Sequence, residues 1–138
     1  MAELRIDQAR LREAVMGPSE RFISAFVRQV TSEAKRLAPE RSGNMRRLIV
    51  SDPVRRTGPW SLASGVSGLA EYSAPVHEGA RPHVIRPRNA RALRFEVEGG
   101  RVVFARRVNH PGNAPNPFLR NAAHRVASAD PRISLGER

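Results

Sequence analysis

The sequence predicts an α+β fold: a long N-terminal helix packed on a mostly antiparallel β-sheet, a short middle helix and a C-terminal helix. Three observations carry that expectation. Phe22, Phe26, Val30, Ala34 and Leu37 recur at helical spacing, with Ile23 and Val27 widening the stripe. Leu93, Phe95 and Val97 alternate with Arg94, Glu96 and Glu98 ahead of Gly99-Gly100, as in a half-buried strand entering a hairpin. Phe118, Leu119, Ala122, Ala123 and Val126 form a second helical stripe behind Asn116-Pro117.

In chain order, residues 7–16 are expected to form a short helix with Asp7 as its N-cap and Leu11, Ala14 and Val15 on one face. Gly17-Pro18 should break it. The long helix then spans residues 19–37, a rod of roughly 28 Å, and Pro39 stops it because proline forces its predecessor out of helical geometry. Ser42 or Asn44 caps a short helical turn. A strand follows around residues 48–54, with Pro53 near its end, and a second over residues 60–66 between glycine turns. Residues 69–77 make a short helix in which Pro75 must either lie in the first turn or kink the segment.

Beyond Arg81 the signals sharpen. Pro82-His83-Val84-Ile85-Arg86-Pro87 is a short extended run between prolines. A two-residue turn at Gly99-Gly100 would place Val97 opposite Val102 and Phe95 opposite Phe104, with all four in the core. Asn116 should N-cap the last helix, with Pro117 in its first turn, and the helix should end before Pro131. The expectation is one domain over residues 1–138: an N-terminal arm or short helix to 18, an α+β core over 19–130, and a loose tail over 131–138.

The composition narrows the function classes. There is no cysteine among the 138 residues, which removes disulfides, thiol catalysis and Cys-based zinc sites. No apolar run is long enough to span a membrane, and the N-terminus lacks the apolar core of a signal peptide, so a soluble chain made in the cytoplasm is expected. The net charge of +11 comes from 23 arginines and one lysine against 13 acids. Residues 81–107 alone hold eight arginines against Glu96 and Glu98, so nucleic acid or an acidic protein surface is the expected partner.

Catalytic readings find little support. His77-Glu78 resembles an acid–base pair, but His77 and His83 lack metal-ligand spacing, and a loop histidine bonded to backbone is the plainer account. Gly65 and Gly68 bracket Ser67 with the wrong spacing for a nucleophile elbow. The phosphate-cradling Gly-rich motif is absent, as are paired carboxylates. No catalytic, metal or cofactor residue is therefore assigned. The run 81–94 could track a phosphate backbone, yet stacking platforms usually add exposed aromatics, and Phe95 is expected in the core.

Taken together, residues 35–50 (KRLAPERSGNMRRLIV), 71–95 (EYSAPVHEGARPHVIRPRNARALRF) and 102–122 (VVFARRVNHPGNAPNPFLRNA) resemble the small head–tail joining proteins of tailed bacteriophages, variously called neck, tail-completion or minor tail proteins. The shared pattern is Ala38-Pro39 with Gly43-Asn44-Met45-Arg46, then Pro82-His83 with Ile85, then Leu93 and Phe95, then His110-Pro111-Gly112, then Pro117-Phe118-Leu119. One departure is Val76-His77-Glu78-Gly79, where the family's acid stands one position earlier. The resemblance spans about residues 20–127.

It implies a structural virion protein and not an enzyme: a homo-oligomeric ring at the head–tail interface that contacts neighbouring connector or tail proteins. Neither a cofactor nor a small-molecule substrate is implied, and no membrane. The surplus charge would face acidic rings above or below, or make non-specific contact with DNA in the lumen. Interface residues are expected at Arg81, His83, Arg86, Arg88, Asn109, His110, Pro111 and Gly112. The alternative from another class is a small basic nucleic-acid-binding domain; a histidine-based nuclease or toxin is the third.

Overall fold

A computed structural model describes residues 5–39 and 43–133. The fold is α+β, with a long N-terminal helix, short middle and C-terminal helices, and small antiparallel sheets. The chain divides into two compact units, Met1–Ser73 with Pro117–Arg138, and Ala74–Asn116. Each contains one interrupted hairpin.

The first unit opens with α1 (Gln8–Leu37), 30 residues long and therefore about 45 Å. Asp7 caps it, its carboxylate accepting from the amides of Ala9 and Arg10 at 3.0 and 3.1 Å. Gly17-Pro18 does not break the helix, contrary to the sequence reading. Pro18 removes the ladder donor to the Ala14 carbonyl, but Met16 beside it is buried, and the Ser19 hydroxyl donates to the next carbonyl, of Val15, at 2.8 Å. The helix stops at Leu37, with Ala38 as C-cap just before Pro39, as expected. Leu11 and Val15, the expected apolar face of the first turns, remain about half exposed.

The core lies between α1, α4 (Phe118–Ala129) and the pair β1–β4. Val27, Val30 and Ala34 from α1 are buried, as are Ile49, Phe118, Ala122 and Ala127. Gly43, at φ +66, precedes the single-turn helix α2 (Asn44–Arg47), so Asn44 is the first helical residue and not the cap. The Ser42 alternative lies outside the described residues. The two strands expected over 48–66 are four: β1 (Ile49–Ser51), β2 (Arg55–Gly58), β3 (Ser61–Ala63) and β4 (Val66–Gly68). Outer β1 pairs with β4 and inner β2 with β3. Asp52-Pro53 interrupts the hairpin, and the Asp52 carbonyl accepts from the Ser64 hydroxyl at 2.8 Å. Pro117, not Asn116, stands at the N-cap of α4; its carbonyl accepts from Asn121 at 2.9 Å. Of the tail expected over 131–138, residues 131–133 are described: Arg132 forks onto Asp130 at 2.6 and 2.8 Å and lies 4.5 Å over the Phe22 ring. Residues 134–138 fall outside the described ones.

The second unit repeats the nested arrangement. α3 (Ser73–Glu78), which begins on the last residue of the first unit, carries Pro75 in its first turn. β5 (His83–Ile85) pairs with β8 (Val108–His110) on the outside, and β6 (Leu93–Glu96) with β7 (Val102–Ala105) on the inside. The outer register continues to the bridge Ala80↔Asn113, which sets Pro82 opposite Pro111. Asn116 donates its amide to the Val76 carbonyl and Asn113 its side chain to the Pro75 carbonyl, both at 3.0 Å, clipping residues 113–116 to α3.

The inner hairpin is shifted by one residue from the expected register. Leu93 faces Ala105, Arg94 Phe104, Phe95 Val103, and Glu96 Val102. The turn is the cause. Gly100 donates to the Val97 carbonyl at 3.1 Å and Val97 to the Arg101 carbonyl at 2.9 Å, so the loop holds Glu98, Gly99 and Gly100. Gly99, at φ +92, takes the turn position that demands positive φ, and Gly100, at φ +78, is the extra residue. A slip of one residue turns every side chain of a strand to the other face. Phe104 is accordingly 67% exposed and Val102 39%, while Phe95 and Val97 are half-buried. None of the four is core.

Candidate functional site

Six of the eight expected interface residues lie along one ribbon, β5–β8 and its extension to Ala80 and Asn113. Arg81, His83, Asn109, His110, Pro111 and Gly112 all belong to it; Arg86 follows β5 directly, and Arg88 stands in the loop leading to β6. His83 and His110 are cross-strand partners whose rings stack at 5.0 Å between centroids, 30° apart in plane.

Their backbone partners fix complementary tautomers. His83 Nδ1 lies 2.8 Å from the Arg81 carbonyl, which only accepts, so this nitrogen carries the proton. His110 Nδ1 accepts from the Gly112 amide at 3.0 Å, so its proton sits on Nε2. Gly112 has φ +82, and a Cβ there would collide with the Ala80 carbonyl. Only glycine lets the two backbones approach so closely. His77 is half-buried on α3 and not in a loop, and the described residues hold no group of three His, Cys, Asp or Glu able to bind a metal ion.

Charge is distributed unequally between the units. In the first, Glu33 receives Arg36 at 2.6 Å and Arg125 at 3.2 Å, joining α4 to α1. The Arg36 fork, with Arg125 beside it and burial opposing both, holds the Glu33 carboxyl far below the usual range, at about 2. Arg132 does the same to Asp130, also to about 2. Arg56 reaches Glu13 and Glu20 at 3.6 and 3.8 Å, and Arg10 reaches Asp7 at 3.4 Å. In the second unit, eight arginines stand against Glu78, Glu96 and Glu98, and among the described residues none of the eight makes an ion pair.

Sequence reasoning missed the face of the inner hairpin. Phe104 and Val102 project there beside Arg94 and Glu96, so the basic segment does carry an exposed aromatic. The signal was the second glycine of Gly99-Gly100, which allows a three-residue loop as readily as a two-residue one. The unit thus offers arginine forks, a stacked histidine pair and an apolar ridge, which suits binding a surface. Compared with known proteins, the chain matches no family model, no curated protein and no solved structure.

Proposed function

We propose that this chain is a structural virion subunit that forms an oligomeric ring at the head–tail junction of a tailed bacteriophage and acts by protein–protein contact. One observation carries the reading: Ala74–Asn116 is a compact unit of 43 residues in which no side chain is fully buried and no arginine is paired within the described residues. Two nested ribbons, held in shape by prolines and left-handed glycines, spend little entropy on binding a neighbour. Ring closure is heterologous, one face of a subunit meeting a different face of the next, and a chain with a separate core unit and a coreless ribbon unit supplies two unlike faces. The order of sequence motifs shared with head–tail joining proteins supports the same reading.

The test is the mass of the free and the assembled protein, by native mass spectrometry and sedimentation velocity. The reading expects a closed multiple of the 15.3 kDa chain, in solution or in the particle. A chain that stays monomeric in every assembly context, and binds duplex DNA tightly at physiological salt with affinity falling steeply with log salt, is a nucleic-acid-binding domain instead.

A further inference from the structure

We infer that the exposed face of the β6–β7 hairpin is a docking surface for an acidic protein other than this chain, with Phe104 as its anchor. The inference needs only the unit Ala74–Asn116 and holds whether or not the chain forms rings.

Geometry comes first. Phe104 and Val102 are alternate residues of a regular strand, so they share one face, and their cross-strand partners Arg94 and Glu96 share it with them. The hydrogen-bonded pair Val97/Arg101 makes Glu96/Val102 and Arg94/Phe104 the pairs without ladder bonds, in which side chains stand closest. Phe104 is the most exposed large apolar residue described, at 67%. The face therefore consists of an aromatic ring and a valine framed by one arginine and one glutamate. Aromatic residues and arginine, set together, are the types that carry most binding energy at protein interfaces.

Charge selects the occupant. Among the described acids, Asp7, Glu13, Glu20, Glu33 and Asp130 are each held by an arginine of their own unit. The same unit of a second copy would set eight arginines and three glutamates against their like. The eight arginines of this unit outnumber its three glutamates, Glu78, Glu96 and Glu98, and the excess calls for carboxylates from another protein, which planar forks accept bidentately. Nucleic acid is the weaker fit, because Phe104 is the one aromatic ring on the face and Val102 beside it has no role in base stacking.

The experiment compares three labelled probes by fluorescence anisotropy: an alternating Glu/Leu peptide, polyglutamate of equal charge, and a duplex DNA of equal charge, all at about 0.15 M salt. The peptide should bind more tightly than the other two. Phe104→Ser should weaken the peptide about tenfold or more and leave polyglutamate unchanged. Arg94→Ala should weaken both. Trp60→Ser, which removes an exposed aromatic of the first unit, should weaken neither. Circular dichroism and melting should be unchanged in Phe104→Ser, since the ring is exposed. Three outcomes overturn the inference: unaltered peptide binding by Phe104→Ser, duplex DNA binding more tightly than the peptide, or self-association of the wild type that Phe104→Ser abolishes.

Discussion

The His83 ring stacks on the His110 ring across β5 and β8, 5.0 Å between centroids, and the two hold opposite tautomers. The His110 ring is thus an acceptor that the backbone uses, whereas the His83 ring donates to it. His110→Ala removes the acceptor of the Gly112 amide, which should then exchange faster and move in 1H–15N spectra. His110→Asn places an oxygen acceptor near the same position and should restore both. A Gly112 amide unaffected by His110→Ala would refute the tautomer assignment.

Gly112 and Gly99 separate two costs that are usually confounded. Both sit at positive φ, +82 and +92, where an L side chain is strained by roughly 1–2 kcal/mol. Around Gly99 nothing lies within 4 Å of an added Cβ. At Gly112 an added Cβ strikes the Ala80 carbonyl and lies 2.9 Å from the Arg81 carbonyl carbon. Gly99→Ala should lower stability by the strain alone, about 1–2 kcal/mol, whereas Gly112→Ala should cost more and disrupt the 80–113 ladder. Urea unfolding of the two variants, with amide exchange at Ala80 and Asn113, measures the difference. Equal losses would mean that the close approach contributes nothing.

Glu33 gives the fold an acid-sensitive joint. Its carboxyl is held at about 2, first by Arg36 and then by Arg125, against an ordinary value of 4.5. A depressed folded value means the folded state favours the charged form. The stabilisation is fully present above the ordinary value and is lost as pH falls from there towards about 2. Stability measured by thermal melting should therefore decline over that window, and Glu33→Gln should lower stability at neutral pH and flatten the decline. Asp130, held at about 2 by Arg132, titrates over nearly the same range, so the decline is flattened and not abolished. An unchanged acid limb in Glu33→Gln would sink the assignment.

How far the sequence disclosed all this depended on what kind of information each element needs. The α1 stripe, its Asp7 cap and its Pro39 stop are local, and so is the amphipathic face of α4; all were legible. Pro18 was not, because one missing hydrogen bond, at the Ala14 carbonyl, costs less than ending the helix where Met16 is buried. The split of the 48–66 hairpin at Asp52-Pro53 was half visible in the proline alone. The His83–His110 pairing joins positions 27 residues apart and is set by the register of two prolines and a glycine, none of which announces a partner. The exposure of Phe104 hinged on a single loop residue, the point where alternation is least informative.

That loop residue yields the sharpest test of the fold. With no cysteine in the chain, paired cysteines report register without background. Glu96 and Val102 face each other, next to the hydrogen-bonded pair Val97/Arg101, and so occupy a pair without ladder bonds, where Cα atoms stand about 4.5 Å apart. Glu96→Cys with Val102→Cys should form a disulfide under mild oxidation. Glu96→Cys with Val103→Cys, opposite each other under a two-residue turn, should not, because in the observed register Val103 faces Phe95 and its side chain lies on the other side of the ribbon. Mass spectrometry of the oxidised proteins distinguishes the two. Crosslinking of the second pair and not the first would return Phe104 to the inner face and remove the anchor from the proposed docking surface.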